Sequence, residues 1–89
     1  MSEKPLSDKP LSELANMVLV IAKCLVDLPD EVSVDEVNGE NTTVINLKVA
    51  KTDIGKIIGK AGKTATAIRT ILLGAATKLK RRTVMEIVE

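Results

Sequence analysis

The chain has no phenylalanine, tyrosine or tryptophan, no histidine, and one cysteine in 89 residues. Each absence excludes something. Without aromatic rings there is no platform on which nucleic-acid bases can stack, and any core must be built from Ile, Leu, Val, Met and Ala. One cysteine cannot close an intramolecular disulfide, and no histidine is present to complete a zinc site. Cys24 lies in an apolar stretch and is expected to be a small buried hydrophobe in a reducing, cytosolic setting. No metal or other cofactor is expected. Long hydrophobic runs are also missing. The most apolar segment, Leu14 to Leu28, is broken by Asn16, Lys23 and Asp27, and falls short of the roughly 20 apolar residues that a membrane span needs. Acidic Glu3, Asp8 and Glu13 precede it, which makes a poor secretion signal. A cytoplasmic protein without a membrane partner is expected.

What is present divides sharply by charge. The net charge is only +1. Residues 1–47 nevertheless carry three lysines and nine acids, whereas residues 48–82 carry ten basic residues against Asp53 alone. Such segregation can give a nearly neutral protein one positive face of the kind that polyanion binders use. Catalysis has little support: no nucleophile–base pair and no carboxylate cluster lies in the basic half, and Asp53 reads as a helix cap rather than a general base.

The length suits one domain, expected over residues 11–89 after a flexible tail at 1–10 with two prolines. From about Leu11 to Asp27 the pattern is helical, with Leu14, Val18, Ile21 and Leu25 in one stripe. Ser7, Asp8 or Ser12 is the N-cap, and Pro29 prevents continuation. Met17, Leu19, Val20, Cys24 and Val26 extend the apolar character, which predicts a helix buried on two sides or one that carries a protein contact surface.

Asn38-Gly39 is a type I′ turn signal. A two-residue loop there pairs Val37 with Glu40, Asp35 with Thr42, Val34 with Thr43 and Val32 with Ile45. Val32, Val34, Thr43 and Ile45 then share a face that Leu47 and Val49 continue, with Ser33, Asp35, Asn46 and Lys48 on the other. After Ala50, Thr52 or Asp53 caps a short helix through Ile54, Ile57 and Ile58. A longer helix spans about Lys63 to Lys78, with Ala65, Ile68, Leu72, Ala75 and Leu79 as its seam and Gly74 permitting close approach of another helix. A strand follows from Arg81 to Val88, with Met85 and Ile87 inward and Glu86 outward. The order helix, strand, strand, helix, helix, strand predicts an α+β domain. Its three-stranded mixed sheet has the third strand parallel to the second through a right-handed crossover, and all helices lie on one face.

Between the two later helices lies Gly59-Lys60-Ala61-Gly62. Two glycines three apart let the backbone turn tightly and a ligand approach it closely. The next helix points its N-terminal amides at the loop, and Lys56, Lys60 and Lys63 surround it. These are ingredients of a phosphate contact. A P-loop shares some of them in Gly62-Lys63-Thr64, but it requires glycine at position 57, which is Ile, and it follows a strand, whereas Ile54 to Ile58 reads as helical. A nucleotide-hydrolysing enzyme is therefore disfavoured, and no small-molecule substrate is expected.

The alternative is the GXXG loop of KH domains, which holds the backbone of about four nucleotides. The stretch Ile57-Ile58-Gly59-Lys60-Ala61-Gly62-Lys63-Thr64-Ala65-Thr66-Ala67-Ile68 resembles the KH signature, and the element order matches the bacterial type II KH topology. With Leu28-Pro29-Asp30-Glu31-Val32 and Ala67-Ile68-Arg69-Thr70, the chain from about Leu11 onward resembles the stand-alone KhpA family, from which only the longer N-terminal extension departs. The resemblance implies a cytoplasmic protein that binds single-stranded RNA and acts as an RNA chaperone or post-transcriptional regulator. It further implies a link to cell-wall synthesis and cell shape, with partnership as a homodimer or with a KhpB (Jag)-type KH protein. The RNA-binding residues it implies are Gly55, Lys56, Ile58, Gly59, Lys60, Ala61, Gly62, Lys63 and Arg69. Lys56 and Lys63 would contact phosphate, and Gly55 and Ile58 would form the groove wall. A protein-interaction module with the same fold and weak RNA affinity is the alternative.

Overall fold

A computed structural model describes residues 12–88. The expected tail at 1–10, and Ser7 and Asp8 as caps, lie outside the described residues. Helix α1 (Glu13–Leu25) leads to strands β1 (Ser33–Asn38) and β2 (Thr42–Lys48). A short α2 (Ile54–Ile58) and a long α3 (Lys63–Lys78) follow, and β3 (Arg82–Val88) closes the order. The sheet order is β1-β2-β3, with β1 antiparallel and β3 parallel to β2. This is the mixed α+β architecture expected from the sequence. Alternation puts Thr43, Ile45, Leu47, Thr83 and Met85 under the helices in the core, while Lys48, Val84 and Glu86 stay exposed.

Ser12 caps α1 as anticipated: its hydroxyl accepts the Ala15 N–H at 3.1 Å. The buried face of the helix is Leu14, Ala15, Val18 and Ala22, rotated from the expected stripe because the two alanines let the helix sit close to its neighbours. Leu25 is exposed, and so is Cys24, which corrects its expected burial. Val20 is 59% exposed, so the helix is buried on one side rather than two. It also ends at Leu25 rather than Asp27, because Val26 adopts an extended backbone and turns into the core.

The hairpin keeps the expected faces but shifts its register. Val34 lies opposite Leu47, Val37 opposite Val44 and Asn38 opposite Thr43. The chain turns at Glu40-Asn41, with Gly39 N–H donating to the Thr42 carbonyl at 2.7 Å, and Gly39 is not left-handed. Asn38 is held in the strand instead. Its Oδ1 accepts the Thr43 hydroxyl at 2.8 Å and Arg81 Nη2 at 3.3 Å, and Arg81 Nη2 also donates to Thr43 Oγ1 at 2.6 Å. The displacement is an even number of residues, so each side chain keeps its face.

Asp53 does not cap α2 through its side chain. It is 1% exposed, and its carboxylate accepts the Asp27 N–H at 3.3 Å and the Leu28 N–H at 3.0 Å. These amides are freed where α1 stops, so Asp53 fixes the start of α2 to the end of α1. Removing an acceptor that satisfies two such donors leaves them unpaired. Asp53→Ala is expected to destabilise the fold by about 2–4 kcal/mol in denaturant unfolding, and Asp53→Asn, which keeps one acceptor oxygen, by less.

Candidate nucleic-acid interface

The loop is built from both of its helices. On one side, Ile57 is fully buried and anchors α2 in the core. On the other, Ala65 and Ile68 anchor the first turns of α3. Between them the chain must reverse over Lys60–Gly62, a single 3-10 turn. Gly59 has φ 76° and ψ 172°, Ala61 φ 56° and Gly62 φ 75°. The Gly59 N–H closes α2 on the Gly55 carbonyl at 2.8 Å, and the Gly62 N–H closes the turn on the Gly59 carbonyl at 3.1 Å.

The two glycines are required for different reasons. A Cβ at Gly59 would collide with the Thr64 hydroxyl and lie 2.6 Å from Thr64 Cβ and 2.9 Å from Thr64 N. At Gly62 nothing lies within 4 Å of an added Cβ, so only its left-handed backbone favours glycine. Ala61 is left-handed too, without the freedom that glycine has. Thr64, which the sequence analysis did not single out as a site residue, is thus the wall against which the turn closes. Its signal was the fixed spacing from Gly59, but no pattern of periodicity marks such a contact.

The predicted site residues fall around this turn. Lys60, Ala61 and Lys63 are exposed, as are Gly55 and Ile58 on α2; Gly59 and Gly62 are half-buried. No side chain caps the N-terminus of α3; the Lys63 N–H closes on the Lys60 carbonyl, and the amides that follow it in the first turn have no side-chain partner. Among the described residues, no carboxylate comes within ion-pair distance of Lys60 or Lys63. Lys56 differs: its ammonium lies 3.1 Å from Asp27 and 3.7 Å from Asp53. The hydrogen bond from Lys56 to Asp27 and the attraction of that carboxylate raise the Lys56 pKa above the ordinary lysine value. Arg69 is exposed one to two turns along α3, and its Nε donates to the Met85 carbonyl on β3 at 3.3 Å. It therefore bridges α3 and the edge strand instead of joining the loop lysines.

The arrangement places exposed lysines beside a left-handed turn, and it is not a P-loop: the segment before Gly59-Lys60-Ala61-Gly62 is helical. The distinction between the glycines is measurable. Gly62→Ala is expected to cost about 1–2 kcal/mol, the left-handed penalty alone. Gly59→Ala is expected to cost clearly more, because backbone strain and collision with Thr64 add; thermal unfolding of the two variants gives the order.

Comparison with known proteins gives the family. The family model described as KhpA/KhpB, KH domain matches residues 15–87. The RNA-binding protein KhpA of Clostridium acetobutylicum is 51% identical over 75 residues, which cover 84% of this chain and 100% of that protein. Its namesake in Aquifex aeolicus is 47% identical over 79 residues, covering 89% and 100%, and that in Chlamydia pneumoniae is 52% identical over 69 residues, covering 78% and 88%. Among solved structures, Aquifex aeolicus Era bound to GDP·AlF4− superposes with a TM-score of 0.57 at 23% identity, over 98% of this chain and 35% of Era. The chain therefore spans about a third of Era's length, and that likeness is one of fold alone. From the match across residues 15–87 and the identity to whole curated relatives, the chain belongs to the KhpA/KhpB KH-domain family.

Proposed function

We propose that this chain binds single-stranded RNA without catalysis, holding the backbone with Gly59-Lys60-Ala61-Gly62. One observation carries the proposal: a turn of consecutive left-handed residues opens the uncapped N-terminus of α3 beside Lys60 and Lys63, which have no acidic partner among the described residues. Phosphate oxygens accept hydrogen bonds from such amides and cations. The relatives' name, RNA-binding protein KhpA, supports the same reading, and the family is non-enzymatic. Gly55 and Ile58 form the groove wall, and Lys56 and Arg69 add charge from either side. Base readout then depends on aliphatic walls and backbone groups, because the chain has no aromatic side chain, so affinity and sequence preference are modest. In this reading the protein is a cytoplasmic RNA chaperone or post-transcriptional regulator linked to cell-wall and cell-shape control.

A second reading, as a protein-interaction module, is favoured by exposed apolar side chains: Val20 on α1, and Ile71 and Leu73 on α3 at 53% and 61% exposure. Gly74 is exposed with open space around it, so among the described residues no helix uses the close approach it allows. A homodimer, or a pair with a KhpB (Jag)-type KH protein, is the partner this reading supplies. The two are separable. Lys60→Asp with Ala61→Asp is expected to abolish RNA binding while fold and self-association persist; RNA binding that survives the double change would refute the clamp.

With three or four phosphates neutralised, log affinity is expected to fall with log salt at a slope of about −2 to −3, measured by titration at several salt concentrations. The ion pair at Lys56 gives a further expectation. Asp27 competes with phosphate for this ammonium, so Asp27→Asn is expected to tighten RNA binding about two- to threefold at low salt and to steepen the salt slope by up to about 0.7.

A further inference from the structure

Asn38-Gly39 reads as a turn in the sequence, yet Asn38 is the last residue of β1 and the chain turns at Glu40-Asn41. The pair is left with a different chemistry. A glycine after asparagine has no side chain to shield its amide nitrogen, so that nitrogen can attack the carbonyl carbon of the asparagine side chain. The other three asparagines, Asn16, Asn41 and Asn46, precede Met17, Thr42 and Leu47, and the chain has no glutamine. By its neighbour in sequence, Asn38 is the side-chain amide most open to this reaction.

Three hydrogen bonds restrain the pair. Asn38 Oδ1 accepts the Thr43 hydroxyl at 2.8 Å and Arg81 Nη2 at 3.3 Å. A guanidinium only donates, so the oxygen of the amide must face it, and Nδ2, the group that would leave, has no hydrogen bond among the described residues. The Gly39 N–H donates to the Thr42 carbonyl at 2.7 Å, which holds the proton that the attacking nitrogen has to lose. Thr43 is 3% exposed and lies opposite Asn38 in the ladder, so its hydroxyl cannot follow Asn38 outward. Attack requires the side-chain carbon to swing onto the Gly39 nitrogen and the strand backbone at Asn38 to rotate. Both movements break the bonds to Oδ1. Asn38 and Gly39 are exposed, so water and hydroxide reach the pair as soon as this clasp opens.

We propose that Asn38 is a site of deamidation whose rate is gated by the clasp of Thr43 and Arg81. Hydroxide takes the Gly39 amide proton, the nitrogen bonds to Asn38 Cγ, and the Cγ–Nδ2 bond breaks. Nδ2 leaves as ammonia with a proton from water, which regenerates the hydroxide. Water then opens the five-membered ring at either carbonyl, leaving aspartate or isoaspartate at position 38. Aspartate stays opposite Arg81 and turns a hydrogen bond into an ion pair, so the hairpin tip persists while the net charge of +1 falls by one. Isoaspartate lengthens the main chain by one atom between β1 and the turn, which opens the closure of Gly39 on Thr42. The hairpin tip therefore carries a slow, irreversible change of charge and of chain length, independent of the RNA-binding reading.

The test incubates the full chain in mildly alkaline buffer and follows each asparagine by peptide mapping and mass spectrometry, with isoaspartate counted by enzymatic methylation of the digest. The wild type is compared folded and unfolded in urea, beside Arg81→Ala, Thr43→Val, Asp53→Asn and Gly39→Ala. Asn38 is expected to convert before Asn16, Asn41 and Asn46, more slowly in the folded chain than in the unfolded one. Arg81→Ala and Thr43→Val, each removing a hydrogen bond to Oδ1, are expected to hasten it about three- to tenfold. Thr43→Val keeps a β-branched side chain at the buried position, so the comparison stands even where Arg81→Ala fails to fold. Asp53→Asn, which loosens the fold at the other end of α1, is expected to leave the rate unchanged. Gly39→Ala is expected to block conversion without unfolding the chain, because an added Cβ there meets only the Thr42 carbonyl oxygen, at 3.3 Å. The inference is overturned if folded and unfolded wild type convert Asn38 alike, or if neither clasp variant hastens it. It is equally overturned if Asp53→Asn hastens conversion as much as Thr43→Val does, since opening of the whole fold would then be the gate.

Discussion

The turn at Gly59 is the constraint on which the proposed RNA-binding surface depends. The chain must leave a helix anchored by buried Ile57 and enter another anchored by buried Ala65 and Ile68, with only a single 3-10 turn between them. The reversal fits because no Cβ stands between Gly59 and Thr64. Once it closes, Lys60 and Ala61 have nowhere to go but outward, beside an N-terminus of α3 that no side chain caps. The other end of α2 is fixed as firmly. The buried carboxylate of Asp53 takes the amides of Asp27 and Leu28, so a helix of five residues is held at both ends by contacts that have no counterpart in its own sequence pattern.

Charge segregation along the chain becomes selective in three dimensions. Lys56, from the basic half, is drawn to Asp27 in the acidic half and to Asp53. Among the described residues Lys60 and Lys63 have no such partner, and exposed cations recur along α3 to the start of β3. Exposed charges of this kind contribute little to folding and much to the attraction of a polyanion. With no aromatic ring available, attraction and backbone contact must do what stacking does in other RNA-binding modules.

Much of this was legible in the sequence where a local rule and the tertiary structure agree. The element order, the parallel third strand, the Ser12 cap and the inward positions of Met85 and Ile87 follow from periodicity and capping chemistry. The family follows from the residues around the paired glycines. The hairpin register did not, because Arg81, far along the chain, binds Asn38 and Thr43 and holds in the strand an asparagine that local propensity assigns to the turn. An even shift preserved the faces, which is why alternation could not reveal the error. Cys24 and Asp53 were misjudged for a related reason. Apolar neighbours suggested burial for one, and position before a helix suggested a cap for the other, whereas a one-sided helix and two amides distant in sequence decided both.

The most direct test of the account is a titration of the labelled protein with a short single-stranded RNA, followed by amide chemical shifts. The account predicts saturable shifts concentrated at residues 59–65 and along the facing edge of β3, with the open face of the sheet unchanged. Shifts confined to the sheet face or to α1, with the amides of the loop unmoved, would contradict it.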